Sequence, residues 1–317
     1  MAFLVSEFLT LVRQVGMLSD HATPGTDDVD ILLMADRELQ TRMANLIVSS
    51  GQEWWVCTQK IPLVAARSRY KVPRRAVLGK IRDLVYELSD GTRRNLNQIT
   101  LAEAKELGTA ATGEPSAFYV KGEAIHVWPE PTSSSGYLVA DFYARPGKLT
   151  DASLAESAIT GITVTGNTFE IAYGASETLI GTGAGLRVDI LRADSGGGCM
   201  AVDLDGDVNT AGTFEGAYSY QLPEDYGICV GDYVVPSESC YAIPLPTELQ
   251  GVFVQATVTS IARALGLSNY DRQQAMLEQL LGEARQNMAP RAESGDLVVR
   301  GGVLDSMNTR GSFGGLW

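Results

Sequence analysis

The chain has only two histidines among its 317 residues, His21 beside a Pro-Gly turn and His126 in an alternating segment. Neither has a carboxylate, cysteine or second histidine at ligand or triad spacing, so both read as structural and a Ser-His-Asp engine has nothing to build on. Four cysteines (Cys57, Cys199, Cys229, Cys240) are too few for a disulfide scaffold and form no CxxC pair for zinc. They read as small buried hydrophobes, with a Cys229–Cys240 bridge left open and reduced thiols the simpler expectation. No GxSxG, HExxH or P-loop occurs, and the GTGAG run at 181–185 lacks the Lys and capped helix that phosphate binding requires. No stretch of about 18 apolar residues is present to span a bilayer. The first residues lack a basic segment followed by a pure apolar run and cleavage site, so neither membrane insertion nor export is expected.

The chain does have an ordinary globular composition, 45% apolar with mean hydropathy of zero. Its formal charge of −13 is unevenly spread. Residues 1–148 hold 17 basic and 17 acidic side chains, residues 149–231 hold 2 and 12, and residues 232–317 hold 6 and 9. The middle segment has no lysine, a compositional break that marks a separate acidic module and disfavours nucleic acid there.

Hydrophobic spacing then divides the chain. Phe8, Leu11, Val12 and Val15 predict one face of an amphipathic N-terminal helix. After an N-cap at Asp27 or Asp28, the series Leu32, Ala35, Leu39, Met43, Leu46 and Ile47 predicts a helix ending near Gly51. Short β-rich runs follow at 54–63, 65–72 and 80–88, and Thr100 with Glu103 predicts a short capping-box helix over 99–107. Runs at 117–120, 124–128 and 136–144 complete what reads as a β-meander. The acidic module offers strands at 161–165, 168–173, 184–193 and 199–204, favouring a small sandwich or barrel. Two further helices start at Pro246 and Ser268, giving a helical hairpin closed by Pro290.

Several features carry candidate function. Asp203, Asp205 and Asp207 alternate oxygens as a calcium loop would, but the glycine falls one place early and no bidentate Glu closes the loop, so a polar turn is the better reading. Arg67, Arg69, Lys71, Arg74, Arg75, Lys80 and Arg82 put seven positive charges into sixteen residues. The first five are a candidate electropositive surface for DNA or an acidic protein, beside the plainer reading as a solvated strand face. Trp54 and Trp55 are adjacent, so in a strand they point to opposite sides and one is expected to be buried. Residues after Pro290 are glycine-rich, and a frayed end is their plain reading. Yet Arg300, Leu304, Met307, Arg310, Phe313, Leu316 and Trp317 space aromatic, aliphatic and arginine anchors along that backbone, which suits folding into a partner's groove.

The order of segments resembles a known family. ILLMADRELQTRMANLI then EWWV, RYKVP leading to NQITLAEAKEL, AFYVKGEAIHVWPEP then YLVADFYARPGKLT, and the closing LPTELQGVFVQATVTSIARALGL with DRQQAMLEQLLGEARQ resemble the head-to-tail adaptors (neck or connector proteins) of tailed phages. The resemblance implies a non-enzymatic virion protein without cofactor or metal, made in the host cytoplasm. It would form a ring, often of twelve copies, that docks on the portal through its C-terminal segment. It would also carry downstream tail or nozzle proteins, with fibres as a further partner, and let genomic DNA pass unread. Simpler relatives lack the acidic module, whose role the resemblance leaves open.

The expected fold is therefore α+β: a helical bundle of N-terminal helices and C-terminal hairpin, a β-meander, and an inserted small β-sandwich or barrel. The expected parts are residues 1–148 (core), 149–231 (acidic insert), 232–289 (hairpin) and 290–317 (extended tail). A baseplate or fibre-attachment subunit is the alternative within structural proteins. A glycan-binding or glycan-degrading tail protein, using Tyr173, Tyr218 and Tyr220 with carboxylates of the insert, is the alternative of another class.

Overall fold

The computed structural model describes residues 3–18, 27–50, 54–107, 111–151, 157–165, 168–174, 180, 182–193, 199–210, 212–216 and 227–288. The chain is mixed α+β and rich in strands. Helix α1 is Val5–Gly16 and α2 is Asp28–Glu38, continued through a π-helical turn, Leu39–Met43, into α3, Ala44–Ser50. Strands β1 (Val56–Pro62), β2 (Arg69–Lys71), β3 (Ala76–Glu87), β4 (Arg93–Asn95) and β5 (Asn97–Gln98) precede α4, Leu101–Glu106. Next come β6 (Thr112–Gly113), β7 (Ala117–Lys121), β8 (Ala124–Trp128), β9 (Glu130–Pro131), β10 (Tyr137–Ala144) and β11 (Lys148–Leu149). The acidic region supplies β12 (Ile159–Thr165), β13 (Thr168–Tyr173), β14 (Gly183–Leu191), β15 (Cys199–Thr210) and β16 (Thr213–Gly216). Strands β17 (Tyr233–Pro236) and β18 (Ser239–Cys240) lead to helices α5 (Thr247–Ala264) and α6 (Tyr270–Asn287).

Local chemistry explains the helix starts. The Asp27 carboxylate accepts from Asp30 N at 2.8 Å, and Thr100 exchanges bonds with Glu103 as a capping box. Helix α6 begins at Tyr270 with Asn269 as its cap residue, one position later than the Ser268 cap expected. On α1 the buried face is Val5, Phe8, Leu9, Val12 and Gly16, which leaves Leu11 and Val15 outside, unlike the stripe read from the sequence.

Helix α5 lies at the centre of the helical layer and is buried nearly all round. Phe253 stacks on Phe8 at 4.9 Å between ring centroids. The hydroxyls of Thr257 and Thr259 donate to the carbonyls of Phe253 and Gln255, which makes their burial tolerable. Gln255 Nε2 donates to Gln273 Oε1 at 2.6 Å and joins α5 to α6.

The strands between the helices form two four-stranded sheets, ordered β1-β10-β3-β4 and β2-β8-β7-β5. The expected meander gives way to this sharing, because β10 returns to lie between β1 and β3. The sheets enclose a second core around Tyr70, Leu84, Phe118, Ile125, Leu138 and Phe142.

The acidic region makes one six-stranded sheet, β12-β13-β16-β15-β14-β17. Its edges meet through the antiparallel Ala158–Tyr233 bridge, so the sheet curls as a small barrel rather than stacking as a two-layered sandwich. Inside it, Gly206 faces Gly216 across β15 and β16. A Cβ on Gly216 would lie 2.1 Å from the Phe169 ring, and one on Gly206 would lie 2.4 Å from Phe214, so both glycines make room for core aromatics. The chain enters through β11 and leaves through β18, paired in parallel. Gly147 permits this neck, since its Cβ would fall 2.7 Å from the backbone carbons of Glu238 and Ser239. Asp36 of α2 accepts from Leu149 N at 2.8 Å and fixes the neck to the helical layer.

Candidate assembly surfaces

The basic run expected as one surface is divided in two by the fold. Arg75 leaves the surface: its side chain is 5% exposed and Nη1 donates to Asp189 Oδ2 at 2.9 Å, where Asp189 is itself 2% exposed. Arg75 also donates to Arg145 O through Nε at 2.9 Å and Nη2 at 2.6 Å. Asp189 further accepts from the backbone N–H groups of Asp203 and Glu238 at 2.9 and 3.1 Å. Burial pushes the Asp189 carboxyl up, opposed by the Arg75 charge and these hydrogen bonds. Arg74 grips Asp203 with two nitrogens, at 2.9 and 3.3 Å, and reaches Glu238 at 3.0 Å. Burial acts to raise Asp203, but hydrogen bonds from Ser237 and Arg74 prevail and hold it below its ordinary value.

These contacts latch the six-stranded sheet to the strand core. They depend on a register shift in β15, where Asp203 adopts φ 53° and the pairing slips between Val188 and Ile190. Val202 then packs on the second core while Asp203 meets Arg74. The expected polar turn at Asp203, Asp205 and Asp207 is therefore part of a long strand. Among the described residues no cluster of three His, Cys, Asp or Glu side chains is placed to hold a metal ion.

Arg67, Arg69 and Lys71 remain exposed. Arg69 and Lys71 flank buried Tyr70 on β2 and share its outer side, and the Arg67 guanidinium lies 5.4 Å from the Tyr70 ring centroid. His126, opposite Arg69 on β8, stacks on Tyr119 at 4.8 Å. Burial, then Arg69 and Lys121, push its pKa down, so it is neutral at pH 7 and adds no charge to this ridge. A groove of about 340 Å³ runs between the ridge and β14–β15, floored by Ile61, Val64, Phe142 and Val202. Its far wall carries Arg187, Asp203 and Asp205.

Of the other expectations, Trp55 is buried and donates its indole N–H to Pro244 O at 2.6 Å, while Trp54 is exposed. Cys229 and Cys240 are separate thiols, and burial pushes the Cys240 thiol up to about 12. Tyr173 is buried in the core of the six-stranded sheet. His21, Tyr218, Tyr220 and the tail residues Arg300, Leu304, Met307, Arg310, Phe313, Leu316 and Trp317 lie outside the described residues. No described helix is long and apolar enough to cross a membrane. Sequence reasoning missed Asp189, Asp203 and Glu238 as partners of the arginines. The one available signal was the juxtaposition of a basic run in one segment with an acidic excess in another.

The described residues form a mixed α+β chain with three hydrophobic cores. A sequence model of the SU10 adaptor protein family, phage head-to-tail adaptors, matches residues 5–165, and the chain belongs to that family. The match takes in α1 to α4 and the two four-stranded sheets and ends with the last residue of β12, so α5 and α6 lie beyond it. No curated protein matches the chain. The protein has a phage adaptor role as a component of the virion.

Proposed function

We propose that this adaptor forms a ring, of twelve copies as in the resemblance above, that docks beneath the portal and presents a platform for tail proteins. The observation that carries the reading is the family match over residues 5–165. Residues 1–148 and 232–289 build the ring body, and residues 149–231 form an insert that faces outward or toward the next tier. The described part of that insert keeps its own core and enters and leaves through adjacent strands, which suits a module added to a pre-existing body. The central channel passes genomic DNA without reading its sequence, and the role is structural rather than enzymatic.

The tail, residues 290–317, is the docking arm, with Arg300, Leu304, Met307, Arg310, Phe313, Leu316 and Trp317 as portal contacts. Its support is compositional, because aromatic and arginine anchors dominate partner binding where they become buried. Deleting residues 291–317 is expected to leave circular dichroism and the unfolding midpoint unchanged. Affinity for purified portal rings should fall at least about tenfold, since losing even one anchor of roughly 1.4 kcal/mol has that effect. Unchanged affinity on a surface-immobilised portal would refute the docking arm.

A further inference from the structure

We propose that the basic ridge Arg67, Arg69 and Lys71 of one copy docks on the outer acidic face of the six-stranded barrel of the next copy. This inference rests on the ring reading above and assigns the surfaces that would close it. Strand register supplies the acidic half. Glu170 of β13 lies directly opposite Glu215 of β16, which lies directly opposite Asp207 of β15. Residues directly opposite share a face, and Glu170 and Glu215 are exposed there. Asp205, two residues along β15, continues the row and pairs with Arg187 at 2.6 Å.

The ridge supplies the other half, with exposed charge at Arg69 and Lys71 and an apolar-floored groove alongside. The chain already contains a smaller version of the same contact. Arg74 and Arg75, the next two members of the basic run, bind this sheet at Asp203 and Asp189. DNA is the weaker match for the ridge, because the groove beside it has mixed charge, with Arg74 and Arg187 paired to Asp203 and Asp205, and is not a continuous cationic track for a phosphate backbone. The two surfaces differ and every copy carries both, so their pairing is head-to-tail, as a closed ring requires.

Two full-length variants test the pairing. One reverses the ridge (Arg67→Glu, Arg69→Glu, Lys71→Glu), and the other reverses the row (Glu170→Lys, Asp207→Lys, Glu215→Lys). Each alone should lose ring formation at least tenfold by sedimentation velocity and by electron microscopy on portal rings. An equimolar mixture should restore rings of wild-type size, with the two variants alternating by native mass spectrometry. Variants that form rings alone as wild type does, or folded variants whose mixture forms none, overturn the pairing. A ridge variant that keeps its rings but loses wild-type binding to duplex DNA overturns it in favour of a DNA surface. If circular dichroism shows that a reversed variant fails to fold, the amide substitutions at the same positions (Arg or Lys→Gln, Glu→Gln, Asp→Asn) replace it and are read alone: each should weaken ring formation, and a folded amide variant that forms rings as wild type does overturns the pairing. A wild-type chain that forms no ring, free or on portals, overturns the ring reading itself and this pairing with it.

Discussion

Replacing Arg75 with alanine is expected to destabilise the protein by about 3–5 kcal/mol, the usual cost of removing one partner of a buried ion pair. The reason is what stays behind. Asp189 is 2% exposed, and two backbone N–H groups cannot neutralise its charge. The sign of the pH dependence follows. Burial already raises Asp189 above its ordinary value, and without Arg75 that opposing influence is gone. A raised carboxyl costs stability above its folded pKa, so the loss should be largest at neutral pH and shrink as acid protonates Asp189. The double variant Arg75→Met with Asp189→Leu should recover most of the loss, since apolar replacement of a whole buried pair is often neutral. Chemical denaturation of the single and double variants measures both. A single-variant loss below about 1 kcal/mol would show that the latch is ornamental.

Trp55→Ala is expected to cost a similar amount, about 3–5 kcal/mol, whereas Trp54→Ala should stay within roughly 0.5 kcal/mol of wild type. The side chains are sequence neighbours with opposite surroundings. Trp55 is 1% exposed in the helical core, and Trp54 is 40% exposed. Trp55 also ties the start of the strand core to the approach of α5 through Pro244 O, a contact spanning 189 residues. Trp55→Phe keeps most of the burial and leaves that carbonyl unpaired, so about 1–3 kcal/mol of the loss should belong to the hydrogen bond. Thermal unfolding of the three variants separates the contributions. Equal losses at the two tryptophans would contradict the assignment of Trp55 as the core member.

The elements legible in the sequence were those whose cause is local. The Asp27 cap, the Thr100–Glu103 box and the hairpin around Gly122 each rest on residues a few positions apart, and the structure has all three. Helix α5 was legible as a helix but not as the central one. Gln255, Thr257 and Thr259 look like an outer face, and they are buried because their polar atoms bond to α5 itself and to Gln273. Strand order was not legible, since Ala140 of β10 pairs with Leu84 of β3 and Gln59 of β1, all far apart in sequence. The latch was hidden for the same reason, with 114 residues between Arg75 and Asp189. The basic run read as one surface because alternation reports only which side chains leave a strand. What receives them is set by the acidic barrel folding back against β1.

These features belong to one account of an adaptor whose acidic six-stranded sheet is clamped to the neighbouring strand core by Arg74 and Arg75. The most direct test is electron microscopy of the purified full-length chain with and without portal rings. The account predicts an additional ring of density on one face of the portal, with symmetry matching it. A chain that stays monomeric and never joins the portal would contradict it.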